Sequence, residues 1–278
     1  MRTLVIGDIH NRIETADKIM REVPHDQVVF VGDYFDSFLK IGPDGTVYGH
    51  ADGRKVAYKT AKWLKQSLHT PNHVHLWGNH DMPYYKDQMF GYPEWMGWNA
   101  RKHGIINHVM REDDWRKLKF FVWVDDWLIS HAGFHSCQFP ATIPDHSGEH
   151  TTWRNVTLND IREFLDEQDK GAWQSLKENY RKHWFFDVGP ARHGDQIIGG
   201  PLWLDWNNEF SGCIFNQIVG HTTTNKFPPI RKKESYHSVN YCVDGIWGGC
   251  LVLEDGKPEI WLKNPLTDLF YKSLEQNP

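Results

Sequence analysis

Residues 3–10 read Thr3-Leu4-Val5-Ile6-Gly7-Asp8-Ile9-His10: a β-forming run that stops at a glycine and hands over at once to an acid and an imidazole. The same grammar returns four times. Residues 28–31 lead into Gly32-Asp33-Tyr34-Phe35-Asp36, residues 73–77 into Gly78-Asn79-His80-Asp81, residues 127–129 into Ser130-His131-Ala132-Gly133, and residues 213–219 into Gly220-His221-Thr222. Short apolar runs bounded by turn residues read as strands, and open α/β sheets bind ligands beyond the carboxyl ends of their strands. Any one of these fragments alone is an ordinary turn. Five of them, each after a strand, predict a single crevice in which acids, amides and imidazoles gather.

Between these points the chain alternates in an α/β manner. Strands at 1–7, 27–31 and 73–77 enclose amphipathic helical patterns at about 12–23 and 52–69, the βαβ sequence of a largely parallel sheet. Residues 82–118 are aromatic and helical in character, with Tyr84, Tyr85, Phe90, Tyr92, Trp95 and Trp98. A strand pair follows at 120–124 and 127–129, turning at Asp125-Asp126. Residues 134–212 break the rhythm with helical patterns near 157–168 and 171–184 and a Gly/Pro-rich run at 189–201. Strand patterns return at 213–219, 238–243, 248–254 and 258–263, the last two joined by the turn signal Asp255-Gly256. The expectation is one catalytic domain over 1–278 with a helical, Trp-rich insertion at about 134–212.

Composition bounds the function. A chain of 278 residues buries about three quarters of the surface it exposes when unfolded, enough for a substantial core. The net charge of −5 argues against a non-specific nucleic-acid binder, which would present a basic stripe. Met1-Arg2-Thr3-Leu4 runs straight into the first motif and no apolar run approaches a membrane span, so a cytoplasmic protein without membrane partners is expected. Cys137, Cys213, Cys242 and Cys250 lack CxxC spacing and read as reduced thiols. Gly189 to Pro201 lacks Gly-Lys-Ser/Thr, which removes a P-loop reading.

Carboxylates and imidazoles together suit divalent ions of the manganese or iron type, and two such ions about 3.5–4 Å apart need one ligand that bridges them. Asp33 is assigned the bridge. Asp8 and His10 complete the first metal site, and Asn79, His131 and His221 form the second. A water shared by the ions would lose its proton near neutral pH and attack phosphorus in line with the leaving group. His80, beside Asn79 but aimed differently, is assigned as general acid to the departing oxygen, with Asp36 as the carboxylate that fixes its tautomer.

These residues resemble the calcineurin-like metallophosphoesterase superfamily, and within it the branch of phosphoprotein phosphatases and bacterial diadenosine tetraphosphatases. The likeness covers about 1–133 and 213–263. Gly7 to His10 is similar to the Gly-Asp-x-His motif, Gly32 to Asp36 to Gly-Asp-x-x-Asp, Gly78 to Asp81 to Gly-Asn-His-Asp/Glu, Ser130 to Gly133 to His-Ala-Gly, and Gly220-His221-Thr222 to Gly-His-x. Residues 243–249 resemble the branch's terminal Gly-Gly-containing strand pair. The resemblance implies a four-layer β-sandwich flanked by helices and two divalent cations at the sheet edge. Manganese is the first choice, with iron, zinc, nickel or cobalt as alternatives.

Departures from the family bear on substrate. Ser37-Phe38 stands where phosphoprotein phosphatases continue with Arg-Gly, so another cation must grip the phosphate. Arg12 is assigned that role, ahead of Arg54, Arg192 and His193. Thr223 replaces the second histidine of Gly-His-x-His, which leaves the first metal three protein ligands. Residues 199–210 resemble the branch's Leu-Leu-Trp segment, with Asp205 where bacterial members often carry arginine, and no catalytic role is given to it. His135, His146, His150, His183 and His193 fall outside the motifs and read as surface or packing residues. The expected reaction is phosphomonoester hydrolysis on phosphorylated protein or a small phosphate ester. A dinucleoside polyphosphate hydrolase, with the tryptophans as a base-stacking cap, and a nucleic-acid phosphatase or nuclease are the alternatives.

Overall fold

The computed structural model describes residues 1–37, 40–41, 47–48, 53–85, 97–139, 142–144, 150–152, 156–178, 183–224, 230–235, 237–245 and 250–261. In chain order the elements are β1 (Arg2–Ile6), α1 (Ile13–Glu22), β2 (Gln27–Phe30), the ribbon β3 (Lys40–Ile41) and β4 (Val47–Tyr48), α2 (Arg54–Leu68), β5 (His73–His75), α3 (Met82–Tyr85), α4 (Ala100–Val109) and α5 (Glu112–Trp115). Then come β6 (Phe121–Val124), β7 (Trp127–Ser130), a second ribbon of β8 (Thr142–Pro144) and β9 (His150–Thr152), α6 (Leu158–Lys177), β10 (Asn216–Val219), β11 (Arg231–Glu234), β12 (Val239–Cys242), β13 (Cys250–Glu254) and β14 (Lys257–Trp261).

Two mixed five-stranded sheets form, in the orders β14-β13-β1-β2-β5 and β11-β12-β10-β7-β6. The parallel strands that the βαβ pattern called for, β1, β2 and β5, make up only part of the first sheet. In the second, β7, β10 and β12 run parallel, with α6 between β7 and β10 in the chain and strand β11 between β10 and β12. The period-two rule of strands sorts their residues between faces. Val5, Val29, Leu251 and Leu253 of the first sheet meet Ile129, Ile218 and Val124 of the second in one buried cluster. Leu4, Ile6, Val28 and Phe30 point the other way, into a cluster with Ile13, Ala16 and Ile19 of α1 and Ala57, Ala61 and Leu64 of α2. That cluster also joins Phe121 and Leu128 of the second sheet to Ile161, Leu165, Ala172 and Leu176 of α6. The result is a mixed α/β sandwich with helices outside both sheets.

Both hairpin turns form as expected, Asp125 at φ 52°, and Asp255 and Gly256 at φ 50° and 73°. Several boundaries differ. The two helices expected near 157–168 and 171–184 are one, α6, which continues through Gly171 to Lys177. Glycine is poor inside a helix, by about 1 kcal/mol against alanine, but a Cβ at 171 would come within 3.1 Å of the His183 ring, so its absence makes room for that imidazole. The strand expected over 213–219 begins only at Asn216. Strand β11, Arg-Lys-Lys-Glu, carries no apolar alternation and was not expected; it is a charged edge strand, paired on one side with β12. The aromatic stretch 82–118 holds α3, α4 and α5, and Phe90, Tyr92 and Trp95 lie outside the described residues. So do His146 and residues 246–249 of the expected terminal motif.

Candidate dimetal centre

The loops after β1, β2, β5, β7 and β10 converge. His10, Asp33, Asp36 and His221 adopt φ of 41°, 51°, 63° and 64°, left-handed conformations that cost energy in non-glycine residues and cluster at functional sites. Gly78 permits the closest approach, since a Cβ there would lie 2.1 Å from both the backbone nitrogen and Oδ1 of Asp33. The loops are tied to each other by backbone bonds: the His10 amide donates to the Asp33 carbonyl (2.6 Å), the His80 amide to Asp33 Oδ1 (2.8 Å) and the His221 amide to Asp8 Oδ1 (3.0 Å). Asp81, fully buried, receives the amides of Tyr34 (2.8 Å) and Gly78 (2.9 Å) and so clamps the second loop to the third.

Two groups of potential ligands share one residue. Asp8, His10 and Asp33 bring a ligand atom each within 4.8 Å of one another, and so do Asp33, His131 and His221. Asp33 Oδ2 lies 3.7 Å from His10 Nε2 and 3.5 Å from His131 Nε2, which is the placement a bridging carboxylate requires. Asn79 Oδ1 lies 2.9 Å from His131 Nε2 and 2.9 Å from His221 Nδ1. All six proposed ligands therefore meet at one place.

The donor set fits cations. His131 Nδ1–H donates to the Val31 carbonyl (2.8 Å) and His10 Nδ1–H to the Phe35 carbonyl (3.2 Å), so in the neutral rings both Nε2 atoms offer lone pairs inward. Burial lowers the His10, His131 and His221 imidazoles below their usual range. A lone pair on His131 Nε2 then faces the Asn79 oxygen, an arrangement that a shared cation relieves. Burial also works against the Asp33 charge, but His131, His80 and His10 outweigh it and hold that carboxyl below the ordinary range. Asp8 moves the other way, pushed well up by burial and by the neighbouring Asp244 and Asp33 carboxylates, a crowding of negative charge that cations would neutralise.

His80 stands at the margin of this cluster, its ring centroid 5.3 Å from that of His10. Its Nδ1 is 3.5 Å from Asp36 Oδ2, as the Asp/His pairing anticipates. Burial lowers the imidazole, and Asp33, Asp36 and Asp81 together more than reverse this, so it is raised and favours the protonated form. The other carboxylate oxygen of Asp36 accepts the Tyr84 hydroxyl (2.6 Å) and the ammonium of Lys102.

Among the cations, Arg12 turns its Nη2 to the Asp8 carbonyl (2.7 Å) and its Nε to the Ile9 carbonyl (3.2 Å), beside the Asp8/His10 side of the cluster. Arg192 reaches the other side, where Nη2 donates to Thr222 Oγ1 (3.0 Å) and to Asp205 Oδ2 (2.9 Å), next to His221. Arg54 is exposed at the start of α2. Asp205 is thus the anchor of a site-proximal arginine, a role the sequence did not disclose. The roles of three further residues escaped sequence reasoning. Asp244, 1% exposed, faces Asp8 and accepts the Thr223 hydroxyl, so the threonine in the second-histidine position is engaged by a carboxylate. Tyr84 and Lys102 lay within an aromatic, helical stretch with no motif to mark them. His135 bonds to Cys137 and His183 packs among Trp184, Phe185 and Phe186, away from the centre.

Such a centre defines a metal-dependent phosphoester hydrolase. Residues 1–225 match the calcineurin-like phosphoesterases, and the chain belongs to that family of dimetal enzymes. Solved structures similar to it include the cold-active protein-tyrosine phosphatase of a psychrophilic Shewanella species (15% identity over 93% of this chain and 80% of that one, TM-score 0.48). A Saccharomyces cerevisiae protein serine/threonine phosphatase with similarity to human phosphatase PP5 shares 14% identity over 94% of this chain and 79% of that one (TM-score 0.44). A metallophosphoesterase from Sphaerobacter thermophilus shares 12% over 99% and 93% (TM-score 0.37). No curated relative matches the chain in sequence. Among the described residues, no helix is long and apolar enough to cross a membrane.

Proposed function

We propose that the protein is a phosphomonoesterase of the phosphoprotein phosphatase and diadenosine tetraphosphatase-like branch, acting as one catalytic domain on a phosphorylated protein or small phosphate ester. The observation that carries this reading is the Asp36/His80 pair set beside ligands that share Asp33. Asp8, His10 and Asp33 would hold one ion and Asp33, Asn79, His131 and His221 the other, with manganese as the first choice of metal. The ions, when bound, supply an ionised water at neutral pH and neutralise charge on the phosphoryl oxygens. The protein's part is to hold the substrate and move a proton. Arg12, and Arg192 on the opposite flank, supply guanidinium groups for the phosphate oxygens in place of the arginine missing at Ser37. His80, with Nδ1 turned to Asp36, presents Nε2 to the leaving oxygen and gives it a proton as the P–O bond breaks.

The dinucleotide alternative asks for aromatic faces open to a base. Among the described tryptophans, Trp77, Trp115, Trp203 and Trp206 are buried, at 4% exposure or less, and the half-buried Trp98, Trp173 and Trp184 pack against the core. That packing favours the monoesterase reading. Its test is manganese-supplemented turnover of p-nitrophenyl phosphate, its bis-ester, a phosphopeptide, diadenosine tetraphosphate and a phosphorylated oligonucleotide, by the wild type and His80→Asn. Monoesters should be preferred, and His80→Asn should lower kcat on the phosphopeptide by about 10²-fold or more. A bis-ester or dinucleotide turned over faster than every monoester would replace the proposed substrate class, and unchanged kcat in His80→Asn would remove the acid.

A further inference from the structure

Lys102 is a lysine at 3% exposure, on the first turn of α4. Lysine is almost never fully buried unless paired, because an ammonium loses its hydration there. Its partner is Asp36, the carboxylate that also faces His80. The three groups around Asp36 divide its oxygens. Oδ1 takes both the Lys102 ammonium and the Tyr84 hydroxyl, while Oδ2 is left toward His80 Nδ1. The backbone fixes the lysine as well: the Asn99 side chain accepts the Lys102 amide (2.9 Å) and caps the helix that carries it. The ammonium also lies 5.8 Å from the centre of the Tyr84 ring, so cation, phenol and carboxylate form one buried group.

We propose that Lys102 is a positioning residue for the proton-donating step, holding Asp36 by one oxygen so that the other is presented to His80. A lone carboxylate beside an imidazole can rotate, or share its oxygens among neighbouring donors. With Oδ1 occupied by a cation, the geometry offered to His80 is single-valued. Burial pushes the Asp36 carboxyl up, and His80 and Lys102 more than offset this, so it lies below its ordinary range. The ammonium belongs to a helix outside every motif, and among the described residues it meets the proposed acid through Asp36.

This inference rests on His80 acting as general acid, and its experiment separates the two. The readout is kcat for p-nitrophenyl phosphate, whose leaving group needs little protonation, against phenyl phosphate, whose leaving group needs much more. Lys102→Met should lose about 10-fold or more on phenyl phosphate and at most a few-fold on p-nitrophenyl phosphate. His80→Asn should show the same selectivity more strongly. Equal losses on both esters in Lys102→Met, with selective loss in His80→Asn, would overturn the proposal and leave the acid in place.

Should His80→Asn itself show no selectivity, the acid assignment fails, and Lys102 is then judged through its coupling to Asp36. Lys102→Met and Asp36→Asn should be strongly non-additive in kcat, and additive effects would overturn the proposal. Tyr84→Phe guards against misfolding of the Lys102 variant, because it releases the same oxygen without leaving a buried charge unpaired. It should give a smaller loss of the same selective kind. A Tyr84→Phe enzyme with equal losses on the two esters would count against the arrangement.

Discussion

The loops that carry Asp8, His10, Asp33, Asn79, His131 and His221 and the shell that carries Tyr84, Lys102, Arg192 and Asp205 meet within a few ångströms, yet they are secured by different means. In the loops the backbone does the positioning. Residues in left-handed conformation, amide-to-carboxylate bonds and a glycine with no room for a Cβ place each ligand to within the tolerance of a strand end. In the shell the side chains do it. Lys102 and Arg192 arrive from a helix and a short turn, and each is fixed by a carboxylate, Asp36 or Asp205. The lesson is that the first region is local in sequence and rigid by construction, whereas the second depends on packing between distant segments.

The sharpest way to break the contrast is at the residue both ligand groups share. Asp33→Asn keeps the volume and the hydrogen-bond acceptor for the His80 amide but removes the charge between the two groups. It should lower kcat by about 10⁴-fold or more. Manganese bound at equilibrium dialysis should fall below two ions per chain. Two ions retained at unchanged affinity would mean that Asp33 does not bridge, and that the loops are less interdependent than their backbone bonds suggest.

That prediction stands on residues legible in the sequence, and the reason is physical. A strand end must be followed by a turn, turns are written in Gly, Asp, Asn and His, and an active site placed at strand ends inherits that local spelling. Hence the six proposed ligands, His80 and Asp36 could be named from short motifs. The sandwich was legible only through family resemblance, since the alternation of strands and helices in the first half points to an open parallel sheet. Lys102 was invisible because a buried lysine and a solvated one look alike in a helical pattern. The partner Asp36 lies 66 residues away, so nothing local marks the pair. Asp205 was set aside for want of an arginine, while the arginine it anchors, Arg192, stood upstream in a Gly/Pro-rich turn. The helical patterns near 157–168 and 171–184 read as two elements, whereas one helix runs through Gly171, whose missing Cβ admits His183.

A smaller effect sharpens the comparison on the substrate side. If the shell grips phosphate, Arg192→Gln should raise KM for a phosphomonoester about 10-fold with less change in kcat, and Asp205→Asn should follow it by loosening the guanidinium. Arg12→Gln is the parallel test on the loop side. Because its Nη2 and Nε are spent on the Asp8 and Ile9 carbonyls, its loss should also disturb the loop that holds Asp8, lowering kcat and metal affinity together. A pure KM effect from Arg12→Gln and none from Arg192→Gln would assign the phosphate to Arg12 alone.

The smallest expected effect separates the histidines of the two regions by pH. Burial lowers His131 and His221, His131 against the opposing pull of Asp33, and His221 with the help of Arg192 and the neighbouring imidazoles. His183 lies outside both groups, its ring 4.8 Å from that of Phe185 and its Nδ1 accepting the Phe185 amide (3.3 Å), and burial lowers it to about 4 from an ordinary 6.5. As pH falls below 6.5 the unfolded chain takes up the proton before the folded one, so stability should be full above that value, decline toward about 4 and then level off. Since the ring is only partly shielded from water, the decline should amount to on the order of 1 kcal/mol. Urea midpoints measured across this range for the wild type and His183→Gln isolate the contribution as a difference that changes only below pH 6.5. If that difference is the same at every pH, the pocket accepts the charged ring, and the insertion is more open to solvent around His183 than its packing implies.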